Sequence, residues 1–395
     1  MNAKFSAKCV ALIAAGAMSM SPAACSGGSM DDSSSSSAKA SGDSITIGTV
    51  TTNSGTAAAY GEAEVKGFEL AVSEINAKGG INGKKVKLES MDDKGDATEA
   101  SNAFNKLAGD NNVLAVAGPT ISATTAAVAP LADQSKLVTI APAATSDSIE
   151  TGNYLFRTCF KDSYQGEVAA RFAAENLKVK KVAVLYGTGD PYSSGVGEAF
   201  AKAAEKLGLE VVDKESSSSA DDTEYSSQLQ KIQASGAELL YAPYYYSVAG
   251  PYIIPQARSV GFEGYVMGPD GYDGLKLTGD KSQYNKTYYT THYSADDNTN
   301  TKVQDFIKSY KSKNNAEPNT FAALGYDTIY MIKQAIEKAG KNATREDVRN
   351  AVAGMTFDGV TGKFTMDKSG SPTKSVTVLE MKDGKPVYDT TVQPK

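Results

Sequence analysis

Residues 44–90 read SITIGTVTTNSGTAAAYGEAEVKGFELAVSEINAKGGINGKKVKLES, and this stretch decides the fold. Ser44–Val50 (SITIGTV) is rich in β-branched residues, which suit a strand. From Glu62 to Lys78 the apolar Val65, Phe68, Val72 and Ile75 recur every three or four positions, the spacing of one buried helix face. Gly79-Gly80 stops that helix, and Asn82-Gly83 is a turn signal feeding a second strand over Lys85–Ser90. The same unit recurs along the chain. Helices are expected at 96–109, Ser122–Gln134, Gln165–Leu177, Ser194–Leu207 and Glu224–Ser235. Strands are expected between them at Val113–Ala117, Leu137–Ile140, Lys181–Tyr186, Glu210–Asp213 and Glu238–Tyr241. Strand, helix and strand at this pitch predict parallel βαβ units with right-handed crossovers. A chain of 395 residues is too long for one such sheet, so two α/β lobes are expected.

The N-terminus reads as an address. Lys4 and Lys8 precede or border an apolar run, Cys9–Met18, about half the roughly 20 residues of a membrane-spanning helix. A short apolar core after a basic start is an export signal. Pro22-Ala23-Ala24 then leads into Cys25 and resembles a bacterial lipobox, although Pro22 stands where an aliphatic residue is usual. That resemblance implies cleavage after residue 24 and lipidation of Cys25; the alternative is an ordinary secretory signal with Cys25 incidental. Residues 26–43 are Ser-, Gly- and Asp-rich and too poor in apolar groups to fold, as a flexible tether would be.

Composition excludes several classes. The formal charge is −6, and removing residues 1–24, which carry two lysines and no acid, makes it −8. No Lys/Arg-rich run appears, which argues against a nucleic-acid partner. One histidine, His292, and three cysteines without a Cys-x-x-Cys pair argue against zinc and iron–sulfur sites. Cys9 and Cys25 lie in the first twenty-five residues, which leaves Cys159 alone in the folded part, so no intrachain disulfide is expected. No phosphate-binding glycine loop, His-Glu-x-x-His or Gly-x-Ser-x-Gly elbow is present, and Pro191 breaks the dinucleotide-like Gly187–Pro191 segment. These absences argue against an enzyme, and neither cofactor nor metal is expected.

In open α/β sheets ligands sit beyond the carboxyl ends of the strands, which singles out the loops there. Gly118-Pro119-Thr120-Ile121-Ser122 joins a strand to a helix rich in hydroxyls. The free N–H groups of such a helix start attract an anion, or Ser122 simply caps its own helix. Ala141–Asp147 follows the next strand with small residues and Thr145, either a second wall of a carboxylate cradle or a plain loop.

The motif Asn76-Ala77-Lys78-Gly79-Gly80-Ile81-Asn82-Gly83-Lys84-Lys85 resembles type I periplasmic binding proteins, more narrowly the branched-chain amino-acid-binding subgroup of ABC-transporter solute-binding proteins. The resemblance runs through most of 44–390: Met91-Asp92-Asp93, the two loops above, Gln256-Ala257-Arg258, Met267–Gly271 and Gly325-Tyr326-Asp327. It implies two doubly wound parallel-sheet lobes joined by three crossing segments and closing on a ligand. The lobes are expected at 44–162 with 294–360, and at 163–293 with 361–395. It also implies residue roles. Ser122 would receive the ligand α-carboxylate, with Ala143 and Thr145 holding carboxylate and ammonium. Asp270, where glutamate is familiar, would pair with the ammonium from the opposite lobe. Tyr60, Tyr192, one or more of Tyr244, Tyr245 and Tyr246, and Phe321 would wall the side chain. The implied protein is a monomer on the extracytoplasmic face, bound to the membrane only through a lipid, handing an amino acid to a permease.

Overall fold

The computed structural model describes residues 44–149, 152–296 and 300–394. The expected leader, Cys25 and the tether lie outside the described residues.

The first sheet is built by β1 (Ser44–Thr51), β2 (Lys85–Asp92), β3 (Val113–Ala117), β4 (Val138–Ala141) and β5 (Leu155–Arg157), with α1 (Ala58–Ala77), α2 (Ala97–Gly109) and α3 (Ser122–Ser135) between them. After α4 (Asp162–Glu175) come β6 (Lys181–Gly187), α5 (Pro191–Lys206), β7 (Glu210–Ser217), α6 (Ser226–Ala234) and β8 (Leu239–Tyr241). The short helices α7 (Tyr246–Val248) and α8 (Ile254–Ser259) lead into β9 (Tyr265–Gly268) and β10 (Thr287–Thr291). The chain then returns with α9 (Thr301–Asn314), α10 (Thr320–Ala339), α11 (Arg345–Val352) and the hairpin of β11 (Thr356–Gly359) and β12 (Gly362–Thr365). It ends in β13 (Val376–Lys382) and β14 (Lys385–Val392).

The first sheet is wholly parallel in the order β2-β1-β3-β4-β5. The second runs β14-β13-β10-β9-β8-β6-β7. Its β7-β6-β8-β9-β10 part repeats the order of the first, while β13 and β14 extend it antiparallel. Each parallel sheet therefore has its topological switch point between its first and third strands, and there the crevice beyond the strand ends opens. The antiparallel extension was not legible in the βαβ pattern, because it sits at the far end of the chain and joins by a hairpin.

Parallel sheets need cover on both faces, and the sequence supplies it. Ile45, Ile47, Ala115 and Ile140 face Phe68, Ile75, Ile329 and Ile332, so α1 and α10 close one side of the first sheet. Val50, Val113 and Val116 face Phe104, Leu107 and Val128 of α2 and α3 on the other. In β6, Val182 and Val184 pack beneath Phe172 and Phe200, whereas the alternating Ala183 and Leu185 meet Leu229 and Ile232.

The strand and helix expectations hold with shifted ends. The first helix starts at Ala58 rather than Glu62, and α5 at Pro191 rather than Ser194. For α5 the reason is local: Asp190 accepts from the Tyr192 N–H and Pro191 takes the first helical position, a start signal hidden inside the glycine-rich segment. The β11–β12 hairpin pairs Thr356–Gly359 with Gly362–Thr365, across the expected lobe boundary at 360–361.

Candidate functional site

The loops after β3 and β4, the start of α1 and the start of α10 face the loops after β6, β8 and β9 across a cavity. Ten residues line it: Tyr60, Thr120, Ile121, Ser122, Ala143, Tyr192, Tyr245, Asp270, Gly271 and Phe321. Free space there is about 260 Å³.

Gly118 shapes the first wall. Its φ of +124° belongs to glycine, and a Cβ would collide with the Val50 carbonyl. The chain can thus turn sharply from β3 into α3. Ser122 is the first residue of α3, and the preceding Ile121 offers no side-chain cap. Ser122 does not close its own helix; its Oγ accepts from the Ser146 N–H at 3.1 Å and ties the two loops together. The uncapped N–H groups of α3 therefore stay available at the cavity wall. Thr120 donates to Glu64 Oε2 at 2.6 Å and accepts from the Thr52 N–H. Burial pushes the Glu64 carboxyl well up, against the lowering effect of Thr120.

Asp270 forms the opposite wall, 2% exposed. Its Oδ1 accepts from the Tyr192 hydroxyl at 2.8 Å and its Oδ2 lies 3.1 Å from His292 Nε2. Its N–H points at Gln165 Oε1 at 3.4 Å. Burial and the nearby Asp270 push the Tyr192 phenol well up, and burial pushes the His292 imidazole down to about 4, so both donors are neutral. Lys374, the buried ammonium in this region, bonds instead to Thr361 Oγ1 at 2.9 Å and is drawn first to Asp327. The lining contains no lysine or arginine.

Aromatic rings fill the rest. Tyr60 stacks on Phe321 at 3.9 Å, and Tyr192 stacks on Tyr245 at 5.4 Å. The Tyr60 hydroxyl donates to the Gly271 carbonyl at 2.5 Å and accepts from the Tyr246 N–H at 3.0 Å, linking the lobes.

Of the residues singled out in sequence, Tyr60, Ser122, Ala143, Tyr192, Tyr245, Asp270 and Phe321 come together on this wall. Three do not. Tyr244 is turned into the core of the second lobe, where its hydroxyl meets Ser217 Oγ at 2.8 Å and its ring meets Tyr225. Tyr246 stands one row back, its ring 5.0 Å from Tyr60 and its hydroxyl accepting from the Ala59 N–H. Thr145 is buried behind the lining. Its hydroxyl lowers the proton affinity of Asp162, which burial raises, yet makes no hydrogen bond of ordinary geometry among the described residues. Consecutive side chains leave an extended segment in opposite directions, so three tyrosines in a row cannot share one wall. Thr120, Ile121, Gly271 and His292 were missed. The first three lie in loops that were singled out; His292, weighed as a metal ligand, has Asp270 as its partner.

Two α/β lobes with a small, cation-free cavity at both switch points define the class: a two-lobed solute-binding fold. The chain belongs to the periplasmic binding protein family, whose model matches residues 44–386. It is 30% identical to Leu/Ile/Val-binding protein homolog 3 of Brucella melitensis over 86% of this chain and 92% of that protein. It is 29% identical to the leucine-, isoleucine-, valine-, threonine- and alanine-binding protein of Pseudomonas aeruginosa, over 83% of this chain and 87% of that one. Among solved structures, the branched-chain amino acid transporter substrate-binding protein LivJ of Streptococcus pneumoniae, in complex with isoleucine, superposes with a TM-score of 0.82 at 32% identity. That match covers 89% of this chain and 100% of LivJ. The leucine-binding protein LivK of Thermotoga maritima gives 0.82 at 30%, over 89% and 99%. These relatives are solute-binding proteins, not enzymes.

Proposed function

We propose that this protein is the lipid-anchored, extracytoplasmic substrate-binding subunit of an ABC importer, that it takes branched-chain or other aliphatic amino acids, and that it delivers them to its permease by lobe closure. The observation that carries the reading is the buried Asp270 carboxylate, met on the cavity wall by neutral donors and facing the uncapped start of α3 with Ser122. A free amino acid is a zwitterion and needs a partner for each charge when it leaves water. The amides and hydroxyls of the α3 start would answer the carboxylate, with charge-assisted bonds of about 1.5–3 kcal/mol each. Asp270 would answer the ammonium. Tyr60, Tyr192, Tyr245 and Phe321 would dehydrate an aliphatic side chain, worth about 1.5–3 kcal/mol. The relatives' names point to the same ligands.

Because the two partners belong to different lobes, such a ligand binds the closed form better and shifts the population toward it. Calorimetry and thermal shift of the full chain against the free amino acids test the reading, since a ligand of the native state must raise its melting point. No response to any amino acid, with binding of an aromatic acid, amide or urea instead, would replace it. The anchor is supported by the Cys25 segment; Cys25→Ser in a host that exports the chain should move the protein out of the membrane fraction, and retention there would refute lipidation.

A further inference from the structure

His292, the single histidine of the sequence, stands where the chain leaves β10. Its ring is held from several directions. Phe160 stacks on it at 3.7 Å with 22° between the planes. Its backbone N–H donates to Thr320 Oγ1 at 3.3 Å, at the start of α10. Its Nε2 lies 3.1 Å from Asp270 Oδ2. The tautomer follows from that partner. A carboxylate oxygen only accepts, so an Nε2 without hydrogen would place two lone pairs against each other. Nδ1 has no hydrogen-bond partner among the described residues, so a hydrogen there would be stranded. The hydrogen therefore sits on Nε2.

The charged and titratable groups facing the ring come from three segments. Asp270, on the turn after β9, draws a proton toward it, and Lys374, from the segment before β13, repels one. Cys159, after β5, and Asp162, at the start of α4, lie in the same buried layer around Asp270, their proton affinities raised by burial. Burial dominates at His292 and keeps the ring uncharged at neutral pH.

We propose that His292 is a positioning residue for the ligand's ammonium group: its neutral Nε2–H and the Tyr192 hydroxyl each take one oxygen of Asp270, fixing the carboxylate so that its remaining lone pairs face the cavity. A lysine or arginine in this place would also orient Asp270, but would neutralise it and compete with the ligand. A neutral imidazole supplies direction without charge. The clamp matters more for aspartate than for a longer acid, because the short side chain must be held at the one angle from which it reaches the cavity. This inference rests on the amino-acid reading above, which the experiment tests separately.

In the full chain labelled with ¹⁵N-histidine, the lone imidazole should show the Nε2–H tautomer at pH 7, with and without L-isoleucine. An Nδ1–H tautomer or an imidazolium would overturn the clamp. H292F fills the same space against Phe160 but cannot donate, so its affinity for L-isoleucine should fall about tenfold or more. H292Q keeps an N–H donor and should recover most of that loss. A folded H292F that binds as the wild type does, or an H292Q as weak as H292F, refutes the proposal. Should H292F fail to fold, as its melting curve would reveal, the wild-type tautomer and the H292Q affinity decide. A wild-type chain that binds no amino acid removes the reading of function, and the tautomer spectrum still tests whether His292 clamps Asp270.

Discussion

Asp270 is the residue on which the electrostatics turn. It is buried, and Tyr192 and His292 satisfy its geometry without cancelling its charge. Asp270→Asn keeps the shape and removes the charge. Leaving a buried ammonium unpaired costs about 3–5 kcal/mol, so amino-acid affinity should fall by more than about 100-fold in calorimetry. The ligand-free melting temperature should hold or rise, because an uncompensated charge has left the interior. Unchanged affinity would remove Asp270 from the site. At this scale the sequence named Ser122 and Asp270 through their place in a family pattern, but could not choose among Tyr244, Tyr245 and Tyr246. Each of the three points a different way once β8 ends, and the direction depends on the core beneath.

Elements bring those residues to the cavity, and the turn from β3 into α3 is the most constrained of them. Gly118 adopts φ +124° against the Val50 carbonyl, so any side chain there must displace β1. Gly118→Ala should cost about 2–3 kcal/mol of stability, read from denaturant unfolding, and should weaken ligand binding by disturbing Ser122. Full stability in that variant would show that the turn can relax. The α5 start illustrates the limits of periodicity. Asp190 and Pro191 form a helix start, yet the apolar repeat only becomes visible a turn later, and the first turn is what delivers Tyr192 to Asp270.

The whole molecule works as two halves bonded across a cavity. Besides Tyr60 to Gly271, the Ser247 hydroxyl donates to the Thr56 carbonyl at 2.7 Å, and the Thr320 N–H donates to Asp273 Oδ2 at 2.7 Å. Tyr60→Phe preserves the stack on Phe321 and deletes both hydroxyl bonds between the halves. The free chain should then become more open by small-angle X-ray scattering, and ligand should leave roughly tenfold faster, since each lost bond stabilised only the closed form. A variant with the wild-type scattering profile and dissociation rate would show that this hydroxyl does not hold the halves together.

Periodicity and turn residues in the sequence were enough to determine the βαβ repeat and the loops beyond the strand ends, because those features depend on local burial patterns and backbone preferences, while chain length and the family resemblance supplied the two lobes. Only the tertiary structure decided which tyrosine lines the cavity, that Ser122 bonds Ser146 rather than capping α3, and that His292 belongs to Asp270. Asp270 and His292 stand 22 positions apart, Ser122 and Ser146 24, and the Tyr60–Gly271 bond between the lobes spans 211, and no local pattern encodes a contact made by chain crossings.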